Sequence, residues 1–233
     1  MQPELRTIRS GAPGASQDFA VQQNKVLRNT YMLLALTLIP TAIGAAIGTN
    51  LDLSFMRTSP MVSFIVILAV FYGWIYAIER NKDSSLGVAL LLGFTLFLGL
   101  LLGPLLHRTL GFANGTELVM MAAGGTAAVF FVMAGIASST KRDFSGLTNF
   151  LTVGAIVLML GVVASMFVQS PVFYMVILGA FVLFSSLMIM WQVNRIVQGG
   201  ETNYISATLT LYISIYNLFS ALLQLLGLGG RND

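Results

Sequence analysis

Seven stretches of the chain are strongly apolar, and most polar residues fall between them. A helix needs about 20 apolar residues to cross the roughly 30 Å hydrocarbon core of a bilayer. Each stretch has about that length and few charges, so each predicts one membrane-spanning helix. The stretches are 27–49, 60–78, 86–106, 117–137, 147–168, 172–194 and 204–228. We therefore predict an all-α integral membrane protein built as a seven-helix bundle.

The composition leaves no room for a soluble domain. Charged residues make up 9% of the chain, hydrophobic residues 56%, and the mean hydropathy is +0.84, whereas soluble domains carry about 25% charged residues. The N-terminal segment is rich in Gln, Ser, Gly and Pro and has no apolar period. We predict a flexible cytoplasmic tail over residues 1–24 and a transmembrane domain over residues 25–233.

The basic residues are distributed unequally between the two sides of the predicted bundle. Short loops rich in Lys and Arg remain on the cytoplasmic side of a membrane. One side collects Arg6, Arg9, Lys25, Arg28, Arg80, Lys82, Lys141, Arg142 and Arg195, and the other has Arg57, Arg108 and Arg231. This predicts a cytoplasmic N-terminus and a C-terminus on the opposite side. The basic residues form no continuous stripe, so the bilayer, and not nucleic acid, is the expected partner.

The residues needed for catalysis are scarce. His107 is the only histidine and there is no cysteine, which excludes a two-histidine zinc motif and thiolate chemistry. Neither a G-x-S-x-G elbow nor a glycine-rich phosphate loop occurs. The acidic residues fall at helix ends or in loops, so they predict no charge relay across the membrane. We predict no enzymatic activity, no cofactor and no metal site.

Polar residues on the last predicted helix recur at steps of three and four residues, so they share one face. This polar stripe consists of Asn203, Ser206, Thr210, Ser214, Asn217 and Gln224. We expect the face to point inward. Hydrogen bonding between helices, worth about 0.6 kcal/mol per bond on average, is one role for it, and the lining of a functional polar cavity is the other.

Pairs of small residues four positions apart predict that helices approach closely, because small side chains let backbones touch. The pairs are Gly44 with Gly48, Gly99 with Gly103, and Gly161 with Ser165.

Several segments resemble one family. Residues 199–219, GGETNYISATLTLYISIYNLF, are similar to the end of Bax inhibitor-1 family members, in particular those of the bacterial YccA branch. Three further segments resemble the first, third and fourth helices of that branch: KVLRNTYMLLAL at 25–36, LGPL at 102–105 and AGGTAAVFF at 123–131. The resemblance implies a Bax inhibitor-1-like fold in a bacterial inner membrane. It also implies association with the membrane-anchored AAA protease FtsH.

In the wider family, an acidic residue of the sixth helix pairs with one of the seventh, and the pair is held to sense pH and control a calcium leak. The matching positions here are Gln192 and Ser214. Neither side chain titrates near neutral pH or supplies a negative charge for a calcium ion. The proton switch is therefore not carried over to this chain. We hypothesise that a hydrogen bond between these two residues replaces the charged pair.

Two functions follow from these features. The first is a regulatory protein that binds and modulates FtsH in membrane-protein quality control, with its tail engaging the protease. The alternative is a calcium or ion leak channel or transporter of the Bax inhibitor-1 type, in which the polar stripe lines a cavity that reaches Gln192. No oligomeric state is predicted.

Overall fold

The computed structural model describes residues 13–51, 58–140 and 142–229, with side chains from residue 21 onward. The regular structure of these residues is entirely α-helical. The helices are α1 Pro13–Gly48, α2 Pro60–Arg80, α3 Ser85–Leu110, α4 Gly115–Ser139, α5 Leu147–Ser165, α6 Pro171–Val197 and α7 Tyr204–Gly229. Seven helices among the described residues are long and apolar enough to cross a membrane. The predicted all-α seven-helix fold is confirmed.

Proline and glycine account for several helix boundaries. Pro60 and Pro171 occupy the first positions of α2 and α6, where the fixed φ of proline suits a helix and its missing N–H is no loss. After α6, Gly199 adopts a φ of 77°, a conformation that glycine accepts without strain. Helices α2 to α7 differ from their predicted bounds by at most four residues.

Helix α1 begins at Pro13, inside the segment predicted as a tail. Its 36 residues at 1.5 Å each give a length of about 54 Å, well beyond the roughly 30 Å apolar core of a bilayer. The first strongly apolar stretch of the chain begins at residue 27, so residues 13–26 extend the helix before it. Adding residues to an existing helix costs little compared with starting one. Residues 1–12 lie outside the described residues, and the flexibility of the tail stays a prediction.

Two of the predicted small-residue pairs form a close crossing of α1 and α3. A β-carbon on Gly44 would overlap the carbonyl oxygen of Leu96, and one on Gly99 would overlap that of Thr41. A β-carbon on Gly103 would overlap the backbone of Gly48. The two backbones are therefore in contact, as the glycine spacing predicted.

The third pair behaves differently. A β-carbon on Gly161 would lie 3.6 Å from the Ile177 side chain, an ordinary contact distance. The Ser165 hydroxyl donates to the Val162 carbonyl within its own helix, at 2.6 Å. The prediction of a close backbone approach at this pair was wrong, because its neighbour here is a side chain and not another backbone.

Helix α7 lies at the centre of the bundle and packs against α1, α2, α3, α4 and α6. Buried side chains from all five of these helices and from α7 form the main core, which includes Leu33, Ile78, Phe94, Ala134, Ile189 and Tyr212. Large apolar side chains such as Phe131 and Leu183 face outward, where the bilayer is the solvent. The helix that carries the polar stripe is thus the one most surrounded by protein.

Candidate functional site

The polar stripe of α7 faces the interior of the bundle over most of its length. Ser206 and Ser214 are buried, and Asn203, Thr210, Asn217 and Gln224 are half-buried. The Asn217 side chain forms no hydrogen bond with the described part of the chain. The hydrogen-bonding of the stripe therefore differs along its length, and its residues have different structural roles.

The middle of the stripe makes its hydrogen bonds within α7. The Thr210 hydroxyl donates to the Ser206 carbonyl at 3.1 Å, and the Ser214 hydroxyl donates to the Thr210 carbonyl at 2.8 Å. Serine and threonine satisfy themselves in this way when no better partner is near. These two residues consequently do not join α7 to another helix.

Both ends of the stripe do reach other helices or loops. The Gln224 amide oxygen accepts a hydrogen bond from the Tyr174 hydroxyl of α6. At the other end, the Asn203 amide nitrogen donates to the Lys82 carbonyl at 3.1 Å and to the Asp83 carboxylate at 2.8 Å. The stripe thus fastens α7 to α6 at one membrane face and to the α2–α3 loop at the other.

Asn203 has a second role as the cap of α7. Its side-chain oxygen accepts from the backbone N–H of Ile205 at 2.9 Å and of Ser206 at 3.2 Å. These N–H groups belong to the first turn and have no partner within the helix. One side chain therefore both begins the central helix and ties it to a loop.

Charged residues surround Asn203 and pair with one another. The Ser206 hydroxyl donates to the Glu79 carboxylate at 2.9 Å, and the same carboxylate lies 3.4 Å from the Lys82 amine. Arg195 lies 3.8 Å from Glu201. Ion pairs this exposed stabilise a fold little. No pattern in the sequence indicates the Glu79–Ser206 contact, which joins residues 127 positions apart.

Sequence reasoning also missed Asn194, a buried amide of α6. Its nitrogen donates to the Arg142 carbonyl at 3.0 Å, and its oxygen accepts from the Phe144 N–H at 3.0 Å. An asparagine at the end of an apolar helix was the available signal. The side chain fixes the α4–α5 loop against the end of α6.

Gln192, two residues before Asn194, is also a buried amide but has no hydrogen-bond partner within the described ranges. It is 1% exposed, and neither its amide nitrogen nor its amide oxygen has a partner among the described residues. Because neither amide atom of Gln192 has such a partner, the hypothesised Gln192–Ser214 hydrogen bond is not formed. The Ser214 hydroxyl donates to the Thr210 carbonyl instead. Ser185, two turns back on α6, and Thr30 of α1 also have buried hydroxyls without partners. A buried polar group without a partner costs about 1 to 3 kcal/mol.

The described residues contain no group of three His, Cys, Asp or Glu side chains that could hold a metal ion. The hydrogen-bonded polar residues described above lie on α6 and α7 and at both ends of the bundle. These features define a multi-pass α-helical membrane protein whose central helix carries a polar stripe.

Comparison with known proteins identifies the family. The sequence model described as inhibitor of apoptosis-promoting Bax1 matches residues 23–232. The chain is 40% identical to the modulator of FtsH protease YccA of Escherichia coli K12, over 90% of this chain and 92% of that protein. It is 48% identical to an uncharacterised protein of Neisseria meningitidis serogroup A, over 91% and 95% respectively. The chain belongs to the Bax inhibitor-1 family.

Proposed function

We propose that this protein is a non-enzymatic regulator in the bacterial inner membrane that binds FtsH and restrains its action on membrane substrates. The observation that carries the proposal is the 40% identity, over nearly the whole of both chains, to a relative named for modulating that protease. A second name given to this relative is inner membrane protein. The neutral residues Gln192 and Ser214 at the positions of the family's acidic pair favour this role over proton-controlled conduction.

The proposed orientation has the N-terminus in the cytoplasm. Val26 at the start of the α1 span packs with Ile196 at the end of α6 and Ala207 at the start of α7. The Asn203 contact with Lys82 and the Asn194 contact with Arg142 bring the ends of α2 and α4 to the same face. Basic residues thus gather at one end of the bundle, which is the pattern of a cytoplasmic face.

The N-terminal segment is the proposed point of engagement. We assign residues 1–12, predicted to be flexible, and the extension of α1 before residue 27 to the proposed cytoplasmic side, where a protease that draws in flexible segments can engage them. Helix α1 is also the helix held by backbone contact with α3. Pulling on the segment therefore loads the tightest contact of the bundle, so the protein occupies the protease without being rapidly extracted.

Deletion of residues 1–12 tests this function. We expect the full-length protein to co-purify with FtsH and to lengthen the half-life of an FtsH membrane substrate several-fold when overproduced. The deletion removes the segment that the protease grips, so it should shorten that half-life again. Deletion of residues 230–233, at the other end of the chain, is the control. An unchanged substrate half-life on overproduction of the full-length protein would contradict the proposal.

The leak-channel alternative makes a different prediction for the same protein in liposomes. With no carboxylate at positions 192 and 214, calcium flux should equal that of empty vesicles across the pH range in which carboxylates and histidine titrate. The double variant Gln192→Asp with Ser214→Asp measures whether the scaffold can conduct once charges are supplied. Flux through the unmodified protein would make conduction the leading function.

A further inference from the structure

A cavity of about 750 Å³ lies within the membrane-spanning part of the bundle, between α1, α4 and α7. Its walls include Ala35, Ala42 and Ala45 of α1, Ala123 and Ala127 of α4, and Phe219 of α7. Small side chains on two facing helices leave the space that larger ones would fill. The volume is within the range of about 300 to 1,000 Å³ that is typical of sites for small ligands.

The cavity opens sideways toward the bilayer. The backbones of α1 and α4 do not approach each other closely. Two side chains of the wall, Leu38 of α1 and Phe131 of α4, are 52% and 71% exposed. Toward the start of α1, a contact between the Tyr31 and Phe130 rings, with centroids 5.9 Å apart, bridges the two helices. The opening therefore faces the lipid and is bounded on one side by this aromatic pair.

Three of the five hydroxyls in the wall are hydrogen-bonded inside the protein, and Tyr31 and Tyr216 supply the other two. The hydroxyls of Thr41 and Tyr212 are 2.7 Å apart, and they also reach the carbonyls of Thr37 and Thr95. The Thr126 hydroxyl donates to the Ala122 carbonyl at 2.7 Å. With these hydroxyls paired inside the protein, the wall presents mainly carbon to an occupant.

We propose that the cavity binds one acyl chain of a bilayer phospholipid, which enters between α1 and α4. An empty cavity would forfeit dispersion contacts along its whole wall, and an apolar wall gives water too few hydrogen-bond partners. The medium at the opening is hydrocarbon, so an acyl chain is the occupant that matches both the wall and the surroundings. This inference stands independently of the proposed binding to FtsH.

Photo-crosslinking tests the proposal on the full-length protein in nanodiscs made with phosphatidylcholine that carries a diazirine near the acyl terminus. We expect label on wall residues of α1 and α4, at a level several-fold above the outward surface around Leu160 and Leu183. In the double variant Ala42→Phe with Ala127→Phe, whose rings enter the cavity, wall labelling should fall several-fold while surface labelling stays constant.

The matched control is Ala46→Phe with Ala128→Phe, on the same two helices. Both alanines are exposed and lie outside the wall, so this variant should label as the unmodified protein does. Native mass spectrometry provides a readout that needs no variant: the unmodified protein should retain phospholipid after detergent extraction. Wall labelling no higher than surface labelling would overturn the proposal. Crosslinking of the wall to the helix of another protein in native membranes would do so as well.

Discussion

Replacing Gly103 with leucine is expected to separate α1 from α3 and to prevent the bundle from reaching its native packing. The atoms that a side chain here would meet are the backbone of Gly48, and no flexible side chain can move aside. Overpacking that side chains can relieve costs about 1 to 3 kcal/mol, so we expect a loss of about 3 kcal/mol or more here, where a whole helix must shift. Thermal unfolding and size-exclusion chromatography in detergent measure the effect.

Gly135→Leu is the control for this prediction. Gly135 lies in the last two turns of α4, and a β-carbon added there meets nothing within 4 Å. The same change of residue in another transmembrane helix should therefore leave the unfolding temperature nearly unchanged. Equal unfolding temperatures for the two variants would mean that the α1–α3 backbone contact does not exist in the membrane protein. The resistance to extraction proposed for α1 would then lose its basis.

The two buried amides of α6 are expected to respond in opposite directions when each is replaced by leucine. Gln192→Leu removes two polar atoms that have no partner and keeps a similar volume, so the free energy of unfolding should rise by about 1 to 2 kcal/mol. Asn194→Leu leaves the Arg142 carbonyl and the Phe144 N–H without their partner. It should lower the free energy of unfolding by about 2 kcal/mol.

Each variant of this pair is the control for the other, because both place leucine at a buried amide on the same helix. Unfolding in detergent, followed by circular dichroism against temperature, measures the sign of each change. If Gln192→Leu destabilised the protein as much as Asn194→Leu, the Gln192 amide would have partners in the membrane, and the two residues would be equivalent. An unfolding temperature of Gln192→Leu above that of the unmodified protein would instead show that Gln192 lowers the stability of the protein.

The sequence alone determined the class of the protein, the number of its helices and nearly all of their bounds. These properties depend on local features: apolar length against the thickness of a bilayer, and proline at helix starts. The glycine spacing on α1 and α3 predicted a contact that the structure confirms. Small residues on one face of a helix permit close backbone approach, whichever helix packs against that face. At the N-terminus, the same local reasoning missed the helical residues 13–26. It counted apolar residues and did not consider that an existing helix extends at little cost into polar sequence.

Only the tertiary structure decided which polar groups find partners. Asn203 meets Asp83 and Ser206 meets Glu79 across more than a hundred residues of chain, while Gln192 is left without a partner. The same packing opens a cavity between α1 and α4 although neither helix carries a cavity signal by itself. Hydropathy fixes that a helix crosses the membrane, but its rotation and depth follow from how all seven helices pack together. Those two quantities determine every contact between distant residues.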